Sequence, residues 1–182
     1  KEADSLINNG SQTNFGIDLT FERFLYKDYY CLLTASIFDS KYKGSDNISR
    51  NTSFNGRYVL NILGGYEFNI SDNHMIDVNI RAVHAGGRYY IPLKIEESIE
   101  AGHEIYDLDR LYEKSYPDYS RIDIKISYRI NKLKYSQEFS LDIPNILNHK
   151  NVFTETFDPT TGEIITDYQQ GLFPVFLWRI HF

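Results

Sequence analysis

Apolar and polar residues alternate one by one through long segments of this chain. In the clearest segment, the apolar set Ile122, Ile124, Ile126, Tyr128 and Ile130 alternates with the polar set Arg121, Asp123, Lys125, Ser127 and Arg129. A period of two places one set on each face of an extended strand, whereas a helix would need a period near 3.6. The pattern predicts an all-β fold whose strands each have one apolar and one polar face.

Seven such segments occur, and the connections between them alternate in length. The segments cover residues 16–25, 29–41, 57–70, 75–85, 121–130, 135–143 and 176–182. The connections are short near residues 27, 72 and 131 and long at 44–56, 86–119 and 144–170. Several segments reach the ~9–11 residues that cross a bilayer at a tilt, and short turns opposite long loops are typical of outer-membrane barrels. We therefore predict an antiparallel transmembrane β-barrel.

Composition and charge are compatible with a barrel and argue against several other classes of protein. The mean hydropathy is −0.42 and the net charge is −6. Barrel strands keep the average hydropathy low, because residues facing the lumen alternate with residues facing lipid. Cys31 is the single cysteine, so no internal disulfide and no cysteine metal cluster forms. The mild acidity argues against a nucleic-acid partner, which would need a basic surface.

Aromatic residues are abundant, with 15 Tyr and 12 Phe, and they favour two bands. One band is expected at the short turns: Phe24, Tyr26, Tyr29, Tyr30, Tyr66, Phe68, Tyr128, Tyr135 and Phe182. The other is expected at the long loops: Tyr42, Tyr58, Tyr89, Tyr90 and Tyr119. Aromatic girdles mark the two interfaces of a membrane, although Tyr and Phe also favour β-sheets in general.

Several stretches resemble the C-terminal barrel of TonB-dependent outer-membrane receptors. The similarity covers nearly the whole chain from about Phe15 onwards. It rests on Tyr42-Lys43-Gly44-Ser45-Asp46, Arg50-Asn51-Thr52, Phe54-Asn55-Gly56, Asn61 to Phe68, Asp142-Ile143-Pro144-Asn145-Ile146-Leu147-Asn148, Asp158-Pro159-Thr160-Thr161-Gly162-Glu163, and Gln169 to Phe182.

The resemblance implies a barrel of about 22 strands that is occluded by an N-terminal plug. Residues 16–182 would be about its last seven strands, and residues 1–15 the end of a preceding external loop. Seven strands do not close a barrel, and lipid does not tolerate an open edge, so further strands are expected upstream or on another chain. The missing initiator Met and signal peptide agree with a C-terminal fragment.

The function implied is import of a scarce nutrient across the bacterial outer membrane, where the barrel would span the membrane many times beside lipopolysaccharide. The nutrient classes are siderophores, haem, cobalamin and glycans. Energy would come from TonB, which acts on a plug outside this chain. Trp178, Ile180 and Phe182 resemble the C-terminal signal that the barrel-assembly machinery recognises. The alternative is that these three side chains only face lipid.

Four cationic or titratable residues are candidate ligand contacts. Arg81 and Lys125 lie on the polar faces of their strands, so we expect them in the lumen, where they either attract an anionic ligand or pair with nearby carboxylates. His84 and Arg88 are expected at the mouth, as ligand contacts or as plain rim residues.

The loop at 86–119 is rich in carboxylates. The spacing of Glu100 and His103 suits a metal pair on a helix, but Gly102 weakens that helix and Asp107 stands where a zinc-protease motif has its second His. We therefore expect a solvated acidic loop. No catalytic, cofactor-binding or metal-binding residue is predicted.

In the last loop, Asp158-Pro159-Thr160-Thr161-Gly162 predicts a hairpin turn, with Phe153, Phe157, Ile164 and Ile165 in its strands.

Two other interpretations of the chain stay open. One is a different outer-membrane barrel, either a passive porin or a barrel enzyme such as a phospholipase or protease. The other is a soluble β-sandwich that binds a partner and packs its apolar faces into a closed core.

Overall fold

Long antiparallel strands make up most of the computed structural model, which describes residues 9–182. The elements follow one another as β1 (Ser11–Tyr26), β2 (Tyr29–Lys43), β3 (Ser49–Asn51), β4 (Tyr58–Ser71), β5 (His74–Ala85), β6 (Tyr89–Tyr90), α1 (Ile95–Ala101), a 3₁₀ turn (Leu108–Arg110), β7 (Lys114–Ser115), β8 (Tyr119–Asn131), β9 (Ser136–Ile143), β10 (Val152–Asp158), β11 (Glu163–Tyr168) and β12 (Val175–His181). The all-β, antiparallel prediction is confirmed.

Seven of the strands form one sheet in the order β1-β2-β4-β5-β8-β9-β12, and β3 pairs with the end of β2. Each strand therefore lies beside the long strand that precedes it in the chain, as in a meander. The sheet is open: β1 and β12 lie at its two edges and do not pair with each other. The closed barrel of about 22 strands stays a prediction.

The strand register aligns the apolar residues of neighbouring strands on one face. Ile62 lies opposite Leu33 and Ala82, and Ile126 lies opposite Val78 and Leu141. Phe139 lies opposite Trp178, and their rings are parallel with centroids 6.0 Å apart. We call this continuous surface the apolar face; the other surface of the sheet is the polar face.

The apolar face is open to its surroundings. Leu19 is 63% exposed, Ile37 71%, Ile126 43% and Trp178 57%. Within residues 9–182 the buried apolar side chains are only Tyr89, Pro92 and Phe157, and all three lie outside the seven-stranded sheet. The seven strands therefore do not enclose a hydrophobic core in the described part of the chain.

The start of β1 differs from the prediction. Residues 11–15 belong to the strand and not to a preceding loop, because Ser11 pairs with Lys43 and Phe15 with Asp39. The first four of these residues, Ser11 to Asn14, are all polar, so hydrophobic alternation could not mark them; backbone pairing with β2 extends the strand. Residues 1–8 of the predicted loop lie outside the described residues.

The register also corrects the two aromatic bands. Tyr29, Tyr66, Phe68 and Tyr128 lie on the apolar face near the turns, as predicted. Tyr30 lies on the polar face, where its hydroxyl donates to Asn79. Tyr42 and Tyr119 also fall on the polar face by strand parity, and Tyr89 and Tyr90 lie in a loop. Among the five tyrosines predicted at the loop-side end, only Tyr58 lies on the apolar face.

The polar face holds a ladder of charged residues. Glu138 is almost fully buried and accepts from Arg129 at 3.4 Å, with the Lys125 ammonium 3.9 Å away. Arg81 lies opposite Asp123 in the β5–β8 pairing, and Asp123 is bound by Arg121 at 2.6 Å. Opposite charges directly across from each other favour this register of strands.

Candidate functional site

The three long connections converge at one end of the sheet. We call residues 44–57 the first loop, residues 86–118 the second loop and residues 144–174 the third loop. The strands on this side end where the loops begin, and the short turns lie at the opposite end. The loops contact one another through hydrogen bonds, so they form one cluster.

The second loop contains more regular structure than the sequence predicted. Ser98 in α1 is fully buried; its hydroxyl donates to the Lys94 carbonyl at 2.7 Å and accepts from the Ile105 amide at 2.9 Å. Gly102 ends the helix in the left-handed conformation, with φ of 70°, so the glycine expected to weaken a helix here caps one. His103 therefore lies beyond the helix, and does not share a helical turn with Glu100.

The first and second loops cross at two glycines. A Cβ atom on Gly86 would lie 1.7 Å from the Gly56 carbonyl oxygen, which leaves no space for any side chain. Such a close approach of two backbones is a common reason for a glycine beside a strand. Beside the crossing, the Tyr89 amide donates to the Ser53 carbonyl at 3.0 Å, and Arg57 donates to the Tyr89 hydroxyl at 2.6 Å.

The second and third loops are joined by Arg88 and Glu104. Arg88 donates to the Phe153 carbonyl at 2.6 Å. Glu104 accepts from the Tyr106 hydroxyl at 2.6 Å and from the Phe157 amide at 3.1 Å. These two hydrogen bonds, the hydroxyl's first, lower the pKa of the Glu104 carboxyl. Phe157 belongs to the predicted hairpin, which is confirmed as β10 paired with β11.

A cavity of about 450 Å³ opens among the three loops. Its most distinctive feature is its five tyrosines, which share the wall with five aliphatic residues and five polar or charged ones. The lining residues are Tyr89, Tyr90, Tyr106, Tyr112, Tyr116, Ile91, Pro92, Leu93, Ile95, Ile164, Ser53, Arg88, Lys114, Thr154 and Glu155. We call it the tyrosine cavity.

The rings in the tyrosine cavity are held in place by contacts with one another and with charges. Tyr90 and Tyr116 stack with centroids 4.4 Å apart, and the Arg88 guanidinium carbon lies 5.8 Å from the Tyr116 centroid. Burial, followed by the negative charge of Glu155, raises the pKa of both Tyr90 and Tyr116. Both hydroxyls therefore stay protonated at neutral pH and can donate hydrogen bonds.

This arrangement suits binding of a small molecule. Aromatic and aliphatic walls with a few polar groups are typical of small-molecule sites, and a volume near 450 Å³ lies in their usual range. Lys114 and Glu155 place one positive and one negative group on the wall. Within residues 9–182 there is no group of three or more His, Cys, Asp or Glu that could hold a metal ion.

The four predicted ligand contacts separate into three places. Arg88 lines the tyrosine cavity. His84 lies at the loop end of the apolar face, where its ring contacts Tyr58 at 3.0 Å and Ser120 at 2.8 Å. Arg81 and Lys125 lie together on the polar face, around a shallow depression of about 170 Å³ shared with Asp123 and Asp142.

The C-terminal residues Trp178 and Ile180 lie on the apolar face of the edge strand β12, and Phe182 follows that strand fully exposed. The edge of β12 away from β9 has no partner in the described residues.

Sequence reasoning missed the tyrosine cavity. Its tyrosines are visible in the sequence, but their meeting depends on contacts between residues as far apart as Ser53 and Ile164.

Glu104 gives a pH-dependent prediction for this loop cluster. Because its pKa is lowered in the folded protein, the contact with Phe157 is present above the ordinary carboxyl pKa of about 4.3 and is lost as pH falls through the lowered value. We expect the protection of the amides of residues 152–158, measured as exchange relative to the intrinsic rate at each pH, to be high at neutral pH and to fall at acid pH. In Glu104→Gln, this protection should already be lower at neutral pH and change less with acid.

Glu100→Gln is the matched control, because Glu100 lies in α1 with an exposed side chain. It should exchange like the wild type at every pH. An unchanged profile in Glu104→Gln would contradict the assigned contact.

No family model, no curated protein and no solved structure matches this chain. The resemblance to TonB-dependent receptors therefore stays a prediction from the residues. No helix within residues 9–182 is long and apolar enough to cross a membrane.

Proposed function

We propose that this chain is part of the barrel of a bacterial outer-membrane receptor of the TonB-dependent type, which imports a scarce nutrient. The observation that carries the proposal is the apolar face. It extends across all seven paired strands, and many of its large apolar side chains are exposed. Such a surface is far larger than the apolar patches that soluble monomers leave in water, whereas a bilayer covers it without cost.

The two ends of the sheet support the same proposal. Turns of two residues join β1 to β2 and β4 to β5, and the opposite end carries loops that fold together around the tyrosine cavity. In the proposed protein, that cavity captures the nutrient outside the cell. The charged polar face lines the path inward, and TonB supplies energy through a plug outside this chain.

The free edges of β1 and β12 are consistent with a sheet completed by further strands. The barrel-assembly machinery would read Trp178, Ile180 and Phe182 by adding a strand beside β12. Lipopolysaccharide and the rest of the outer membrane would surround the apolar face.

Fractionation of a Gram-negative host that produces the protein tests the membrane location. We expect the protein in the outer-membrane fraction, resistant to extraction with sodium carbonate and released only by detergent. Its folded form should migrate differently from the boiled form in gel electrophoresis. Recovery in the soluble fraction would overturn the proposal in favour of a β-sandwich.

Conductance in a planar bilayer separates a receptor from a porin. The full-length receptor, purified with its plug, should give no steady current in potassium chloride, because the plug fills the lumen. Large and stable open channels formed by the full-length protein that contains this chain would support the porin and contradict the receptor.

A further inference from the structure

Arg23 is a charged residue on the apolar face. In the register of β1 with β2 it lies opposite Cys31, two residues beyond the Phe21–Leu33 pair on the same face. The next connection is the tight turn at Lys27 and Asp28, whose φ angles of 51° and 71° are both positive. Arg23 therefore lies close to the turn end of the strand, where a lipid-facing charge is tolerated far better than at the middle of a bilayer.

Two aromatic rings hold the Arg23 guanidinium. Its central carbon lies 4.0 Å from the centroid of Tyr29 and 5.3 Å from that of Tyr26. The Lys27 ammonium lies 5.5 Å from the Tyr26 ring on the same turn. Cation–π contacts of this kind orient the guanidinium but leave its N–H groups free to donate in the plane of the group.

The hydrogen-bonding capacity of Arg23 is almost unused. Within residues 9–182 its one hydrogen bond is a long contact of 3.5 Å from Nη2 to the Tyr26 carbonyl, and its Nε is buried without a partner. A guanidinium has five N–H donors, and a buried donor without an acceptor is costly. The Nη groups of Arg23 therefore have N–H donors free for an acceptor with several oxygens.

The short turns hold slightly more positive than negative charge, and Lys27 follows Arg23 in the first of them. The turn between β8 and β9 adds Lys132 and Lys134, with Leu133 between them fully exposed. The negative residues in the short turns are Asp28 and Asp72, and Asp28 already accepts from Asn69 at 3.1 Å. Basic side chains beside exposed apolar and aromatic ones are typical of the headgroup layer of a membrane.

We propose that Arg23, together with Lys27 and the rings of Tyr26 and Tyr29, binds the phosphate of a phospholipid headgroup at the turn side of the bilayer. The inference rests on the proposed membrane function. The planar guanidinium binds two phosphate oxygens at once, and Lys27 adds a second charge. The acyl chains would lie along Phe21 and Leu19, which are 57% and 63% exposed; a free phosphate would gain nothing from these residues.

Native mass spectrometry of the protein tests this site. The protein is purified in dodecyl maltoside, which has no phosphate, and titrated with phosphatidylglycerol or with diacylglycerol carrying the same acyl chains. We expect one tightly retained phosphatidylglycerol in the wild type and about tenfold weaker retention in Arg23→Gln, as for loss of a charged hydrogen bond. Arg23→Lys should lie between the two. Diacylglycerol should not distinguish the proteins.

Arg179→Gln is the matched control, because Arg179 lies near the same end of the sheet but on the polar face, opposite Glu138. It should retain the lipid like the wild type. Equal retention in Arg23→Gln and the wild type would overturn the site and leave Arg23 as a partner for another strand. Displacement of the lipid by millimolar glycerol phosphate would show a site for free phosphate and overturn the lipid assignment.

Carbonate extraction of the same proteins separates this inference from the proposed function. If the wild type leaves the membrane with carbonate, the membrane function itself fails. If wild type and Arg23→Gln both stay in the membrane but retain equal amounts of lipid, the phosphate site alone fails.

Discussion

Replacing Leu19 by lysine is expected to lower the free energy of unfolding by about 2–4 kcal/mol in phospholipid vesicles, the cost of placing Lys on the lipid face at the middle of a bilayer. Leu19 lies near the centre of β1, pairs with Ala35 and is 63% exposed. An exposed leucine in water would tolerate the same change to within about 0.5 kcal/mol. The large effect is therefore expected only if lipid covers this face.

Thr20→Lys is the matched control for Leu19→Lys. Thr20 is the next residue of β1, also exposed, and it lies on the polar face opposite Thr34. We expect it to unfold like the wild type, because this face meets water in the lumen. Denaturant titration in vesicles, followed by fluorescence of the single tryptophan Trp178, measures both variants. Equal effects of the two substitutions would contradict a lipid-covered apolar face.

Asn145→Ala is expected to destabilise the third loop by about 3 kcal/mol. Asn145 is 1% exposed, and its backbone amide and side chain together make four hydrogen bonds. Its backbone amide donates to the Asp123 carboxylate at 2.8 Å. Its side-chain nitrogen donates to the backbone carbonyls of His149 and Gln170, and its side-chain oxygen accepts from the His149 backbone amide at 3.0 Å. Alanine leaves these buried partners of the side chain unpaired, and each such group costs about 1–3 kcal/mol.

The backbone at Asn145 contributes separately, because its φ of 50° is in the left-handed region. Asn145→Gly removes the side chain without this strain, so it should be slightly less destabilising than Asn145→Ala. Asn148 also has a φ of 50°, but its side chain accepts a single, exposed hydrogen bond from the Leu172 amide. Asn148→Ala should therefore cost clearly less stability than Asn145→Ala. Protection of residues 144–174 from hydrogen exchange measures all three. Equal losses for Asn145 and Asn148 would show that the buried network adds nothing.

Buried asparagines of this kind were invisible as structural residues in the sequence. Asn55 has no exposure at all; it accepts from the Ser40 amide and donates to Asp39, which anchors the first loop to β2. Asn151 exchanges two hydrogen bonds with Ser120 and anchors the third loop to β8. Asparagine is common in turns and loops, so its presence there does not reveal which copies become buried against a strand.

The aromatic bands show how far strand parity can be predicted. Their position in the segment predicts Tyr66 and Phe68 at the turn-side end, and the register places both on the apolar face. Tyr30 stands beside Tyr29 in the sequence but lies on the opposite face, because successive side chains of a strand alternate. The position of a residue along its strand predicts whether it lies near the turns or near the loops. The face on which its side chain lies depends on whether its position is odd or even in the paired strand.

The sequence by itself determined the strands, their two faces and the alternation of short turns with long loops, because a period of two is a local property of neighbouring residues. It also predicted the hairpin of the third loop, whose turn residues are consecutive. Only the tertiary structure decided the tyrosine cavity, the asparagine anchors and the cluster at Arg23. Each of these depends on contacts between strands and loops far apart in the chain, whose relative positions are set by strand register and by the crossing of the loops.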